Sequence, residues 1–216
     1  GTSTISLSIA AGEKPVEKST PADVIVVFDV SGSMIENMNG QTRLERAKTA
    51  VNTMANTLLG ANSGVRMALI SFSTDAQIVQ TFTNNYTTFS GKVTGLSADG
   101  GTNWEKALKL ANEMAVRSDA ATFVVFVTDG DPTFRVSRGD VTNSNLNSET
   151  YNAYTYTYYV NNHVYGEGNN DSASRNFNFA VDQVKAIAGH NKNFYAIGIS
   201  DSVTKVQNLT TQGGVA

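Results

Sequence analysis

The chain has 216 residues, no cysteine and a formal net charge of −3 at pH 7. The length allows one sizeable α/β core, the lack of cysteine excludes disulfides and thiolate metal sites, and the absence of a basic stripe argues against a nucleic-acid partner. No apolar run is long enough to span a bilayer and no signal peptide opens the sequence. We therefore expect no direct membrane insertion and, for a secreted protein, only a piece of the longer chain.

The first 21 residues are predicted to stand apart from the main domain. Thr4 to Ile9 alternates apolar and polar side chains, which indicates a half-exposed strand. The polar stretch Ala11 to Pro21 is typical of a linker. Because the sheet that follows does not need this strand, we assign residues 1–21 to an N-terminal strand and linker compatible with a neighbouring domain.

Two fully apolar runs predict central strands of a parallel sheet. Val24 to Phe28 and Phe123 to Val127 lack alternation, as expected of strands covered on both faces, and an aspartate follows each run. Further strands are predicted at 65–72, at 77–80 as an antiparallel edge and at 194–199, with amphipathic helices at 44–58, 104–114 and 177–187. This alternation predicts an α/β fold with a doubly wound, mainly parallel sheet and helices on both faces.

The alternation of strand and helix fails between Thr133 and Asn176. This segment is polar and holds six of the eight tyrosines. A structureless loop of that length is improbable inside a compact domain, and the alternation from Tyr154 to Tyr158 favours a β-rich arm. We therefore assign residues 134–176 to an inserted arm, and residues 22–133 and 177–216 to the domain that carries it.

Hard oxygen donors gather at the predicted carboxyl ends of the two central strands. Asp29, Ser31 and Ser33 follow the first strand, and Asp129 follows the second. In open α/β sheets, ligands bind outside the carboxyl ends of the strands. Carboxylate and hydroxyl oxygens suit Mg²⁺ better than a soft metal, so a magnesium site is predicted at this edge.

These side chains also have structural and enzymatic interpretations. Ser33 could cap the next element, and Thr102 with Glu105 three residues later fits a capping box. His163 and His190 have no partner at a motif spacing and are interpreted as surface residues. Nucleophile-elbow and nucleotide-binding motifs are missing. A Mg²⁺-dependent phosphatase would need a cationic phosphate clamp, and Lys and Arg are absent from the candidate loops. We therefore predict no catalytic residues.

Taken together, Asp29-x-Ser31-x-Ser33, Thr102 in a Gly-Gly-Thr-Asn turn and Asp129 in Thr-Asp-Gly resemble the metal-ion-dependent adhesion site of von Willebrand factor A-type (integrin I-like) domains. The resemblance covers roughly residues 23–209 apart from the arm. It implies that these five residues bind one Mg²⁺ or Mn²⁺, with Ca²⁺ as a further candidate. It also implies that Thr102 and Asp129 change between direct and water-bridged coordination when a partner's carboxylate takes the open position.

The opening Thr-Pro-Ala-Asp-Val-Ile-Val-Val-Phe-Asp, the β-rich segment before it and the arm after Thr-Asp-Gly are similar to pilus tip adhesins of Gram-positive bacteria. The similarity implies an extracellular adhesion domain on the pilus or cell wall that is monomeric by itself. Its implied partners are host matrix or cell-surface proteins, or other pilus subunits. Intracellular A-type domains of chelatase and ATPase assemblies are the alternative, and a Mg²⁺-dependent hydrolase is a less favoured one.

The arm is expected to form the rim of the binding face because it leaves the chain directly after Asp129. Arg138, Tyr156 and Tyr158 are the candidates for contacts with a partner. Arg138-Gly139-Asp140 is also the tripeptide that integrins recognise, although so short a match often arises by chance.

The C-terminal end departs from the family pattern. The family normally adds a further strand and a final helix after the strand that here ends near Ser200, whereas only Val203 to Thr210 follows with helical character. The resemblance therefore implies a domain shortened at its C-terminal end, and it leaves the usual coupling between the metal site and a last helix in doubt.

Overall fold

A computed structural model describes residues 20–60, 63–136, 150–151, 154–155, 164–166, 174–200 and 203–215. In chain order the strands are β1 (Ala22–Asp29), β2 (Asn37–Met38), β3 (Gln41–Thr42), β4 (Val65–Phe72), β5 (Ala76–Thr83), β6 (Ala121–Thr128), β7 (Phe134–Arg135), β8 (Thr150–Tyr151), β9 (Tyr154–Thr155), β10 (Tyr165–Gly166) and β11 (Lys192–Gly198). The helices are α1 (Arg43–Leu58), α2 (Tyr86–Thr94), α3 (Trp104–Glu113), α4 (Arg175–Gly189) and α5 (Val206–Gln212), and a 3₁₀ turn spans Gly32–Ile35.

The main sheet has five strands in the spatial order β11, β6, β1, β4, β5. The first four are parallel to one another, and β5 pairs antiparallel with β4 at the edge. The predicted doubly wound, mainly parallel α/β fold is therefore confirmed. Because β1 lies in the middle, its carboxyl end is flanked by the carboxyl ends of β4 and β6, and this arrangement creates the crevice in which a ligand is expected.

Both faces of the sheet are covered by helices. Trp104 and Ile187, from α3 and α4, pack with Phe126 on one face, and α1 and α2 cover the other face with side chains such as Val51 and Phe89. The Trp104 ring meets the Phe126 ring edge-on, with centroids 5.3 Å apart. Coverage of both faces explains why β1 is apolar at successive positions, whereas on β6 the side chains of Phe123 and Val125 are only partly buried.

Helix α1 begins at a capping box. The Thr42 hydroxyl accepts a hydrogen bond from the Glu45 backbone N–H at 3.1 Å, and the Glu45 carboxylate accepts one from the Thr42 N–H at 2.9 Å. Both bonds satisfy N–H groups that the helix leaves unpaired. The helix ends at Leu58, close to Gly60, where the sequence predicts its end.

The root of the arm forms short strands. β7 pairs with β10, and β8 pairs with β9, both antiparallel. The second pair includes Tyr154 and Thr155 and agrees with the predicted β-rich character. Tyr156, Tyr158 and the tripeptide at 138–140 lie outside the described residues, as does the predicted strand at 4–9, and the division into domain, linker and arm remains a prediction. No helix in the described ranges is both long and apolar enough to cross a membrane.

Candidate metal centre

The centre of the candidate site is formed by the carboxyl ends of two adjacent strands. Asp29 ends β1 and Asp129 directly follows β6, and the parallel register places Phe28 beside Val127. The two aspartates therefore leave the sheet side by side. Both side chains are completely buried, so their negative charges are confined to a small volume with little water to screen them.

The loop after β1 is folded around Asp29. The Ser31 backbone N–H donates to Asp29 Oδ1 at 2.7 Å, and the Thr128 hydroxyl donates to Asp29 Oδ2 at 2.5 Å. The Gly32 N–H donates to the carbonyl of Gly100 at 2.8 Å, which joins this loop to the Gly-Gly-Thr turn. A Cβ atom on Gly32 would lie 3.3 Å from that carbonyl oxygen, so the close approach favours glycine.

Two serine hydroxyls and one carboxylate oxygen form a compact cluster. The Ser31 and Ser33 Oγ atoms are 3.1 Å apart, and the Ser33 hydroxyl donates to Asp129 Oδ1 at 2.8 Å. The Ser31 hydroxyl lies 3.5 Å from the same oxygen. In an octahedral Mg²⁺ site with bonds of about 2.0–2.1 Å, neighbouring ligand oxygens are about 2.9 Å apart. Two of the three spacings, 2.8 and 3.1 Å, are close to this octahedral edge, whereas the spacing of 3.5 Å between Ser31 Oγ and Asp129 Oδ1 is longer.

The arm root holds the backbone of Thr102. The Thr102 backbone N–H donates to the Thr133 hydroxyl at 2.9 Å, and its carbonyl accepts from the N–H groups of Thr133 and Phe134 at 2.8 and 3.0 Å. The side chain is nearly buried. Its hydroxyl makes no hydrogen bond to any residue that the structure describes, and it remains available as a ligand.

The two capping interpretations are wrong. The N-cap of α3 is Asn103, whose side chain accepts from the Lys106 N–H at 3.0 Å, while the Glu105 carboxylate accepts from the Val136 N–H. Thr102 and Glu105 therefore form no capping box. Ser33 lies inside the 3₁₀ turn and its hydroxyl bonds to Asp129 rather than capping an element.

The electrostatics of the site favour a cation. Burial raises the pKa of Asp29 to about 7; hydrogen bonds from Ser31 and Thr128 lower it, and the charge of Asp129 raises it further. Within the described ranges, no group of three His, Cys, Asp or Glu side chains converges anywhere. A cation held here would have two carboxylates and neutral hydroxyls as ligands, a donor set that suits a hard ion such as Mg²⁺.

The sequence analysis missed Arg43, the first residue of α1. Its Nη1 donates to Asp129 Oδ2 at 3.0 Å, and its Nη2 pairs with the Glu36 carboxylate at 2.7 Å. No Lys or Arg lies in the candidate loops themselves, as the sequence shows, but α1 brings the guanidinium of Arg43 to Asp129. The capping box at Thr42 was the available signal, because it starts α1 close after the serine loop.

Of the remaining candidate residues, the structure describes only His190. Arg138, Tyr156 and Tyr158 lie outside the described residues, so their predicted contacts with a partner remain untested. His163 lies outside as well. His190 is exposed, and its Nδ1 is 2.7 Å from Asn112 Oδ1. It precedes the amino end of β11, so it lies at the end of the sheet opposite to the candidate site.

Comparison with known proteins agrees with this architecture. The minor fimbrium subunit Mfa5 of Porphyromonas gingivalis is 29% identical over 142 residues, which cover 62% of this chain and 11% of that protein. The PilB minor pilin from Streptococcus sanguinis has a similar structure, with a TM-score of 0.73 at 21% identity over 94% of this chain and 57% of the pilin. The vWF domain of the type V pili tip protein Mfa5 gives a TM-score of 0.51 at 29% identity, over 62% of this chain and 46% of that one.

The chain thus spans only part of each of these relatives, and the likeness to the pilin establishes the fold alone. The family profile of the von Willebrand factor type A domain matches residues 24–131, which is half of the chain. That range begins in β1 and ends just after Asp129, so it contains all five candidate ligands. The chain belongs to the family of von Willebrand factor type A domains.

Proposed function

We propose that this domain is a metal-dependent adhesion module of a bacterial pilus or surface protein. Asp29, Ser31, Ser33, Thr102 and Asp129 hold one Mg²⁺ or Mn²⁺, and a carboxylate of the partner protein completes the coordination. The metal supplies a Lewis-acidic anchor for that carboxylate. The proposal is supported most by the cluster of hydroxyl and carboxylate oxygens, whose spacings of 2.8 and 3.1 Å suit an octahedral ion.

The charge of the ligand set favours binding over chemistry. Two carboxylates compensate the charge of a divalent ion, and the serine and threonine hydroxyls are neutral, so the ion keeps an affinity for a further anionic ligand. In the described residues no imidazole lies near the cluster to act as a general base, since His190 is at the other end of the sheet. Arg43 is already held by two carboxylates and is a poor phosphate clamp. We therefore propose a module without catalytic turnover.

The relatives support a pilus setting. Mfa5 is named as a fimbrium subunit and as a pili tip protein, and PilB as a minor pilin. By analogy, we place this domain outside the cell, on a pilus or the cell wall, with other pilus subunits or a host matrix or cell-surface protein as its partner. These names favour the surface setting over an intracellular chelatase or ATPase assembly.

The arm is proposed to determine which partner is accepted. Its root is hydrogen-bonded to Thr102 through Thr133 and Phe134, so it begins at the metal site itself. Exposed loops beside a rigid site commonly carry specificity. In this proposal the metal binds a generic carboxylate, and the arm supplies the contacts that distinguish one partner from another.

The test compares Ser33→Ala with Ser90→Ala. Ser33 contributes a hydroxyl to the cluster, whereas Ser90 lies on α2 and bonds only locally, to the Thr87 carbonyl. We expect Ser33→Ala to weaken Mg²⁺ binding at least tenfold in titration calorimetry, because it removes one ligand of the octahedron. Ser90→Ala should bind Mg²⁺ with the same affinity as the unaltered chain. In EDTA, the free energy of unfolding of both variants should lie within about 1 kcal/mol of that of the unaltered chain.

Partner binding is tested on the same proteins. Immobilised fibronectin, collagen and pilin subunits should retain the unaltered chain in Mg²⁺ but not in EDTA, and should retain Ser33→Ala poorly in both. Equal Mg²⁺ affinity of the two serine variants would refute the metal assignment. Hydrolysis of phosphate esters that requires Mg²⁺ and disappears in Asp129→Ala would instead establish the enzyme alternative.

A further inference from the structure

Arg43 connects a buried candidate ligand to the protein surface. Its guanidinium lies between Asp129, whose side chain is 0% exposed, and Glu36, whose side chain is 58% exposed, and its own side chain is 15% exposed. The two contacts use different nitrogens, Nη1 for Asp129 and Nη2 for Glu36. The guanidinium is therefore fixed in a single orientation beside the site.

The formation of α1 does not explain this placement. Arg43 occupies the first helical position, where the positive end of the helix dipole disfavours a cation. Arg46 lies nearly one turn further along the same helix and donates to the Asn39 carbonyl, with no carboxylate contact among the described residues. The contacts with Glu36 and Asp129, rather than the stability of the helix, therefore account for an arginine at this position.

The two oxygens of Asp129 have different partners. Oδ1 faces the serine hydroxyls, at 2.8 Å from Ser33 Oγ and 3.5 Å from Ser31 Oγ. Oδ2 accepts the charge-assisted hydrogen bond from Arg43 at 3.0 Å. The Asp129 oxygen that faces the serine cluster is therefore Oδ1, whereas Oδ2 is held by Arg43.

We propose that Arg43 determines metal selectivity by restricting Asp129 to one-oxygen coordination. Mg²⁺ requires a near-ideal octahedron of six ligands, which one carboxylate oxygen suits, whereas Ca²⁺ takes six to eight oxygens and commonly binds a carboxylate through both. Arg43 therefore disfavours Ca²⁺ more than Mg²⁺ or Mn²⁺. This inference rests on the proposed metal-dependent function and specifies which class of ion the site accepts.

The test measures the binding of Mg²⁺, Mn²⁺ and Ca²⁺ to the full 216-residue chain by titration calorimetry. We expect Arg43→Gln to bind Ca²⁺ at least tenfold more tightly, because the hydrogen bond from Arg43 to Asp129 Oδ2 and a nearby positive charge are both removed. Mg²⁺ and Mn²⁺ should gain only about threefold, from the charge alone. Arg46→Gln removes one positive charge from the same helix without touching Asp129, and it should leave the ratio of Mg²⁺ to Ca²⁺ affinity unchanged.

Arg43→Met, which has a long side chain but no donor, is the second variant and must reproduce the change in the ratio even if Arg43→Gln folds poorly. Equal gains for Mg²⁺ and Ca²⁺ in the Arg43 variants would show that the residue acts by charge alone and would overturn the inference, while leaving the metal site intact. Failure of the unaltered chain to bind any of the three ions would overturn both the proposed function and this inference.

Discussion

Replacing Asp29 by Asn should stabilise the metal-free domain and abolish its response to metal. Burial raises the pKa of Asp29 from its ordinary 3.8 to about 7, with the charge of Asp129 adding to the effect. At about 1.36 kcal/mol per pKa unit, ionised Asp29 costs the fold about 4 kcal/mol. Asn removes this charge but keeps the shape of the side chain.

Part of that gain is offset by hydrogen bonding. The Asn carbonyl can still accept from the Ser31 N–H, but its amide group replaces the oxygen that now accepts from the Thr128 hydroxyl. That hydroxyl can donate to the Gly130 carbonyl, 3.1 Å away, and accept from the new amide. With about 1–2 kcal/mol lost in this exchange, the net gain is about 2–3 kcal/mol, or about 5–10 °C in Tm.

The pH dependence has a definite sign. A carboxyl whose pKa is raised by folding destabilises the fold in its ionised form, so its cost is absent below pH 3.8, grows between pH 3.8 and about 7, and is constant above that. In EDTA, Asp29→Asn should therefore be more stable than the unaltered chain near pH 8, and slightly less stable near pH 4, where only the loss in hydrogen bonding remains. Mg²⁺ at about 1,000 times Kd should reverse the order, because binding at that concentration adds about 4.1 kcal/mol to the stability of the unaltered chain alone.

Urea denaturation in EDTA and in Mg²⁺, at pH 4, 6 and 8, measures these differences. An Asp29→Asn variant that is less stable than the unaltered chain at pH 8 in EDTA would refute the reasoning, because it would show that the carboxylate stabilises the metal-free fold. A stability difference that does not change with pH would equally contradict it.

Two further substitutions probe the two ends of the parallel strands, Gly101→Ala at the carboxyl end and Asp23→Asn at the amino end. A Cβ atom on Gly101 would overlap the Phe134 ring, so Gly101→Ala should displace the arm root, destabilise the fold by about 1–3 kcal/mol in urea and weaken Mg²⁺ binding severalfold; unaltered Mg²⁺ affinity would show that the root does not position Thr102. Burial opposes the ionisation of Asp23, but hydrogen bonds from Arg66 and Arg117 outweigh it and lower its pKa. Asp23→Asn should therefore cost about 3 kcal/mol at pH 7. The cost should fall as the pH drops below about 3.8, because the carboxyl of the unfolded chain takes up a proton before that of the folded chain. Mg²⁺ affinity should be unchanged, and a loss of metal binding would contradict the separation of Asp23 from the candidate metal centre.

The local sequence was sufficient to predict the sheet and most of the candidate site. Val24 to Phe28 is buried at every position, and Phe123 to Val127 is buried except at Phe123 and Val125, which are partly buried, so each run can be recognised without knowledge of its neighbours. Asp29 follows the first run directly, and Asp129 follows the second after Thr128. Because parallel strands share one carboxyl edge, their convergence follows from strand assignment alone.

Only the tertiary structure places a positive charge beside Asp129 and joins the arm root to Thr102. Arg43 reaches Asp129 across 86 positions of sequence because α1 starts beside the serine loop, and Thr133 reaches the Thr102 backbone because the arm root folds back over the Gly-Gly turn. No sequence motif predicts either contact, because an arginine side chain or a backbone amide can form hydrogen bonds with many groups that lie within its reach. The choice among them depends on how the helices and the arm root pack on the sheet, and that packing is a property of the whole fold.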